Sequence, residues 1–226
     1  SVVLVGGEPG VGKSTLLLQA AGAIASSGRS ALLVSAEESA QQVAMRAQRL
    51  SVTSSDITLV ADDDVDRVLA AAEADPPDLM VIDSIQTVGV PDAAGTPGGV
   101  SQIRESAARL IRFAKDRNVA TVLVGHVTKE GGIAGPKLLE HMVDVVLYLE
   151  GDPDRGIRAL RCLKNRFGAT HMVGVFEMTS DGLVEVADPS KAFLSDWEST
   201  VPGTVAFPAV EGRRSVLVEI QALTSD

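Results

Sequence analysis

The sequence predicts an α/β fold: a mostly parallel central sheet, antiparallel strands at its end, and a C-terminal linker leading into a partial β-hairpin. Three observations carry the prediction. Short apolar runs alternate with helix-patterned segments over residues 2–124, a glycine-rich turn joins the first run to the first helix, and beyond Pro136 the strand-like runs follow one another without helices. Continuous apolar strands between amphipathic helices belong to a parallel sheet covered on both faces, with right-handed crossovers as the default. Strands in direct succession pair antiparallel.

Each element has its own signal. Val2-Val3-Leu4-Val5 is an apolar run stopped by Gly6-Gly7, a buried strand feeding a turn. Over 13–25, Leu16, Leu17, Ala20, Ala21 and Ile24 recur at helical spacing, and Gly28 supplies the stop. Residues 31–34 form the second strand, and 39–50 a helix with Val43, Ala47 and Leu50 on one face. A strand at 57–60 precedes a helix at 65–74 that Pro76-Pro77 closes. The strand 79–82, the helix 101–117 and the strand 119–124 complete the alternating part, and the runs 143–149, 156–163 and 171–178 add strands alone. Residues 188–197 read as a linker, and 204–210 and 215–223 flank Glu211-Gly212-Arg213-Arg214 as a hairpin. The expected division is a core over 1–186, followed by a linker and the start of a further domain over 187–226. The loops 89–100 and 128–135 and the turn 165–168 are long or glycine-rich enough to be functional, the competing reading being tolerated surface insertions.

Composition narrows the function. The chain has 226 residues, 45% hydrophobic and 3% aromatic, enough for a sizeable core and unlike a disordered segment. Its one cysteine, Cys162, cannot form an intramolecular disulfide or a thiolate zinc site, which fits a reducing, cytoplasmic compartment. No apolar run approaches the roughly 18 residues of a membrane span, and no basic segment precedes an apolar one at the start. The formal charge of −10 argues against a general electrostatic surface for nucleic acid, so any such contact must be local.

Gly7-Glu8-Pro9-Gly10-Val11-Gly12-Lys13-Ser14 matches G-x-x-x-x-G-K-[ST] in full, between a strand and a helix, and Thr15 follows it. The glycines let backbone N–H groups wrap a phosphate chain, and the helix N-terminus adds its positive end. Lys13 would reach the β and γ phosphates of ATP, and the Ser14 hydroxyl would ligate Mg²⁺. Asp83 ends an apolar strand expected beside this loop and would also hold Mg²⁺; alone, it is equally a turn former. Glu37 and Glu38 follow the strand 31–35 at the sheet's C-terminal edge, where a carboxylate can activate water for attack on a γ phosphate. One of the pair can instead complement the next helix's dipole; Glu37, nearer the strand, is the candidate base. His126 closes a strand ahead of the second glycine-rich loop and could report nucleotide state, or be a structural histidine. Residues 155–175 contain no acid but include Arg155, Arg158, Arg161, Lys164 and Arg166: a solvated face, a phosphate-tracking patch, or cations offered to a neighbouring subunit's nucleotide.

Lys164-Asn165-Arg166-Phe167-Gly168 resembles the defining KNRFG motif of the bacterial RadA/Sms DNA repair family. Val34-Ser35-Ala36-Glu37-Glu38-Ser39, the run from Gly125 to Gly131, and Gly135-Pro136 ahead of Leu139-Glu140-His141 and Val143-Asp144 are similar to that family too. The resemblance implies a RecA-like P-loop NTPase core in hexameric rings that bind single-stranded and branched DNA and drive branch migration together with RecA recombinase. It further implies that Lys164 and Arg166 couple ATP at a subunit interface to DNA movement, and that the loops 89–100 and 128–135 face DNA. Lys129, Arg158 and Arg161 are then the candidate DNA contacts. Family members begin with a four-cysteine zinc finger and end in a Lon-protease-like domain. This sequence has no such finger, so zinc is not expected, and the hairpin resembles only the first piece of the latter. A DNA-dependent ATPase motor is the leading expectation, ahead of a strand-exchange recombinase and of a nucleotide-gated module that binds DNA or RecA without motor activity.

Overall fold

A computed structural model describes residues 1–126, 136–151, 156–187, 204–211 and 214–221. The elements run β1 (Val2–Gly7), α1 (Lys13–Ser26), β2 (Ala31–Ser35), α2 (Ala40–Arg49), β3 (Ile57–Val60), α3 (Val65–Ala74), β4 (Leu79–Asp83), α4 (Val100–Asp116) and β5 (Ala120–His126). They continue as α5 (Pro136–Leu139), β6 (Val145–Gly151), β7 (Ile157–Asn165), β8 (Val173–Thr179), β9 (Gly182–Glu185), β10 (Thr204–Glu211) and β11 (Arg214–Gln221).

Strands β1 to β9 form one sheet in the order β3-β2-β4-β5-β1-β6-β7-β8-β9. The first six positions are parallel, and β7, β8 and β9 add antiparallel. This is the mostly parallel α/β sheet with antiparallel strands at its end expected from the sequence. The hairpin β10–β11 is a separate antiparallel pair with Thr204 opposite Gln221. The segments 127–135 and 188–203, which hold one expected glycine-rich loop and the expected linker, lie outside the described residues.

Alternation along the strands explains why they are apolar throughout. Leu32, Val34, Met80 and Ile82 point into one core with Val65, Val68, Ile103, Ala107 and Leu110 of α3 and α4. Ala31, Leu33, Leu79 and Val81 point the other way, onto Leu17, Leu18 and Ala21 of α1 and Leu50 beyond α2. Strands β2 and β4 are thus buried on both faces. Helix α2 starts at a full capping box, Ser39 accepting from the Gln42 N–H while the Gln42 side chain accepts from the Ser39 N–H, a device worth about 1 kcal/mol.

Two elements were not foreseen. The one-turn α5 is too short for periodicity to register, and β9 is a four-residue edge strand held by long-range contacts. Gln19 of α1 bonds both backbone groups of Leu183, donating from Nε2 at 3.1 Å and accepting at Oε1 at 2.9 Å. The expected loop 89–100 is a built structure, because the buried Gln102 side chain sits inside it. Its Oε1 accepts from the Val90 N–H at 2.9 Å, and its Nε2 donates to the carbonyls of Val90, Ala93 and Gly95 at 3.1, 2.8 and 3.3 Å.

Gln102→Ala would orphan the Val90 N–H and those carbonyls, costing about 1–3 kcal/mol. Urea unfolding should register that loss, and limited proteolysis should cut within 89–100 faster than in the wild type.

Candidate nucleotide site and the strands that back it

The site lies at the C-terminal edge of the parallel strands, where ligands enter open α/β sheets. Strand β1 ends at Gly7, the loop of residues 8–12 follows, and α1 begins at Lys13. Gly12 stands at the helix N-cap with φ 113°, left-handed backbone that a side chain would strain. A Cβ there would also come within 2.5 Å of Met178 Cε on β8.

Lys13 is almost wholly buried, and its Nζ donates to the carbonyls of Gly7 and Glu8, each at 2.9 Å. Burial lowers its pKa against the opposing pull of Asp83 and Glu37. Burial dominates at Asp83 and raises its pKa, against the opposing influence of the nearby Ser14 hydroxyl. The strand directly beside β1 is β5, so β4 ends one position further out than the sequence suggested, yet its terminal carboxylate still meets Ser14. A hydroxyl and a carboxylate at the start of α1 form a hard-oxygen donor set that suits Mg²⁺.

The two glutamates after β2 are held differently. Arg46 grips Glu38 with two parallel bonds, Nη1 to Oε2 at 2.7 Å and Nη2 to Oε1 at 2.5 Å, and the Ser35 hydroxyl donates to the Glu38 carbonyl at 2.8 Å. Glu37 lies within electrostatic reach of Lys13. Its Oε1 accepts from the wholly buried Ser84 hydroxyl at 2.6 Å and lies 3.1 Å from His126 Nε2, which donates in the Nε2-protonated tautomer. The His126 bond above all, with Ser84 and Lys13, keeps Glu37 below its ordinary pKa despite partial burial. His126 stands directly opposite Gly7 in the β1–β5 register, which sets it beside the loop. Among the described residues, His126 Nδ1 and Gln86 Oε1 are buried without hydrogen-bond partners. Ser84 and Arg46 gave no sequence signal, since a serine after a strand and an arginine on a helix are both commonplace.

The structure therefore brings Lys13, Ser14, Asp83, Glu37 and His126 together. The basic residues of β7 are distributed along that strand. Arg158 Nε donates to the Val11 carbonyl of the phosphate loop at 2.9 Å. Arg161 pairs with Glu150 at 3.1 Å. Lys164, at the far end, donates from Nζ to the carbonyls of Glu140 and Val143 at 2.6 and 2.9 Å. Arg166 is half exposed and pairs with Asp144 at 3.1 Å. Asn165 Oδ1 accepts from the Phe167 N–H at 2.9 Å, closing the turn, around which Leu163, Phe167 and Met172 are exposed. Lys129 and Arg155 lie outside the described residues. On α4, Arg109 pairs with Asp66 and Glu105, and Arg117 at its C-cap pairs with Glu73.

Asp144 ties this region to β1: its Oδ2 accepts from the Val2 N–H at 3.0 Å, and that bond, ahead of Arg166, depresses its pKa. A depressed carboxylate contributes stability above its unfolded pKa and loses it as pH falls through the folded value. The stability advantage of wild type over Asp144→Asn should be full above about pH 4 and shrink below it, as chemical denaturation across pH will show.

Comparison with known proteins agrees with this geometry. Residues 1–132 match the AAA domain family. DNA repair protein RadA of Pseudomonas aeruginosa is 53% identical over 99% of this chain, and those of Listeria monocytogenes and Streptococcus pneumoniae are 50% and 49% identical over 100% of it. The chain spans about half the length of these relatives, 49%, 49% and 53% respectively. A KaiC-like protein from Pyrococcus horikoshii superposes with TM-score 0.66 at 22% identity, covering 82% of this chain and 89% of its own. A second solved structure, an ATPase domain, superposes with TM-score 0.69 at 15% identity, covering 82% of this chain and 84% of its own. These two share the fold. The chain belongs to the AAA domain family, and it is similar along its whole length to DNA repair protein RadA.

Proposed function

We propose that this chain is the ATPase core of a DNA-dependent motor in DNA repair, hydrolysing ATP to move single-stranded and branched DNA during branch migration. The observation that carries the reading is the Glu37 carboxylate, held by Ser84 and His126 within electrostatic reach of a complete phosphate loop while its neighbour Glu38 is occupied by Arg46. In this reading Lys13 leaves its carbonyl partners for the β and γ phosphates, and Glu37 takes the proton of the attacking water while Ser84 and His126 hold its Oε1. Ser14 and Asp83 would hold Mg²⁺, which supplies neutralisation of phosphate charge. His126 bonds the base from the strand that enters the segment 127–135, so it can pass nucleotide state to that loop and to Lys129.

The reading extends to a hexameric ring in the cytoplasm, in which Lys164 and Arg166 act on the neighbouring subunit's nucleotide. Arg166 is half exposed in its pair with Asp144, a contact that a γ phosphate could outcompete. The exposed Leu163, Phe167 and Met172 beside it offer apolar surface for the subunit contact. With a net charge of −10, DNA affinity is expected to depend on ring assembly and on local cations such as Arg161, with RecA recombinase as partner. Residues 187–226 would begin a second domain.

Glu37→Gln should lower ATP turnover by about 10²–10⁴-fold. Nucleotide binding should be retained, as read by phosphate release and by titration with a fluorescent ATP analogue; wild-type turnover would remove Glu37 as the base. Mixing Lys13→Ala with Arg166→Ala subunits should restore hydrolysis at mixed interfaces, and no rescue at any ratio would count against an arginine acting in trans. Turnover that single-stranded DNA does not stimulate in the assembled protein would remove the motor.

A further inference from the structure

The phosphate loop touches more than its own strand and helix. Gly7 lies beside Leu149 in the β1–β6 register, so the end of β6 runs along the start of the loop. Gly151, two residues on, is the cross-strand partner of Arg158 on β7. A Cβ on Gly151 would fall 2.8 Å from Arg158 Cδ, 2.9 Å from its Nε and 3.0 Å from Val11 Cγ2. The arginine stem and the Val11 side chain therefore lie together over a position where only glycine leaves room. Among its contacts, the guanidinium donates from Nε to the Val11 carbonyl and from Nη1 to the Ile157 carbonyl, each at 2.9 Å.

We propose that Arg158 is a positioning residue of the nucleotide site, fixing the Val11–Gly12 peptide of the phosphate loop from the antiparallel extension of the sheet. The inference rests on reading the loop as a nucleotide site. A peptide unit is planar and trans, so its carbonyl and N–H point in opposite directions. Holding the Val11 carbonyl toward β7 turns the Gly12 N–H to the opposite side of the loop, and loops of this motif hold phosphate oxygens through such N–H groups. Gly12, with its left-handed backbone and no side chain, has the least intrinsic preference to keep that peptide in place. A charged donor from outside the loop supplies the constraint. Arg158 acts here through the backbone of its own chain and not as a DNA contact, and it links the loop to the strand that carries Lys164 and Arg166 at its other end.

The test uses the full chain and measures affinity for ADP with Mg²⁺, melting temperature without nucleotide, and affinity for a fluorescent oligo-dT. Arg158→Met keeps the stem over Gly151 and removes the donors. It should weaken ADP by about tenfold and leave nucleotide-free melting and oligo-dT affinity unchanged. Gly151→Ala displaces the arginine without altering its charge and should weaken ADP in the same direction; it decides the matter if Arg158→Met does not fold. Wild-type ADP affinity in either variant that folds overturns the proposal. So does loss of oligo-dT affinity with ADP binding intact, which would make Arg158 a DNA contact. Lys13→Ala separates the two readings: if it too binds ADP as wild type, the nucleotide site itself is wrong, whereas loss in Lys13→Ala alone removes only the role of Arg158.

Discussion

The rest of the structure depends on how the backbone leaves β1. This strand is paired on both sides, with β5 and β6, so its C-terminal end cannot shift without breaking two parallel ladders. The phosphate loop starts at that end, and its return into α1 is fixed by the buried face of the helix on the sheet. Between the two anchors the loop is walled by strands added later in the chain, through Arg158 on β7 and Met178 beside Gly12. The antiparallel extension is therefore part of the site, and its strands form the back wall of the loop.

Electrostatics follow from that enclosure. Lys13, Asp83 and Glu37 sit close enough to influence one another, but burial dominates for the first two and pushes each toward its neutral form. Glu37 escapes because His126 and Ser84 stabilise its charge by hydrogen bonds. In the proposed function these two donors on one oxygen would keep the base charged and directed. Glu38 shows how little chain distance matters: one residue on, its carboxylate is consumed by Arg46 in a bidentate pair that fixes the turn.

The distribution of charge over the molecule also becomes intelligible. The acids of α3 meet arginines of α4 and its C-cap, Asp66 with Arg109 and Glu73 with Arg117, so part of the positive charge of α4 is neutralised locally. On β7, Lys164 donates to the backbone carbonyls of Glu140 and Val143, which orient the cation without cancelling its charge.

By itself the sequence determined the order of strands and helices, the phosphate loop with Lys13 and Ser14, and the change from parallel to antiparallel pairing. These are written in near neighbours: alternation, helical spacing, and glycines at a turn. It also narrowed the carboxylates to Glu37, Glu38 and Asp83, since each ends or follows a strand at the ligand edge. Only the tertiary structure distinguished the surroundings of Glu37 from those of Glu38, because they depend on Arg46, Ser84 and His126, the last two brought from 47 and 89 residues away. The same holds for Gln102, a polar residue on a helix until loop 89–100 folds around it, and for Arg158, whose role is set by a carbonyl 147 residues distant. Local patterns record what the backbone will do, and which side chain meets which donor is fixed only when the sheet has closed around β1.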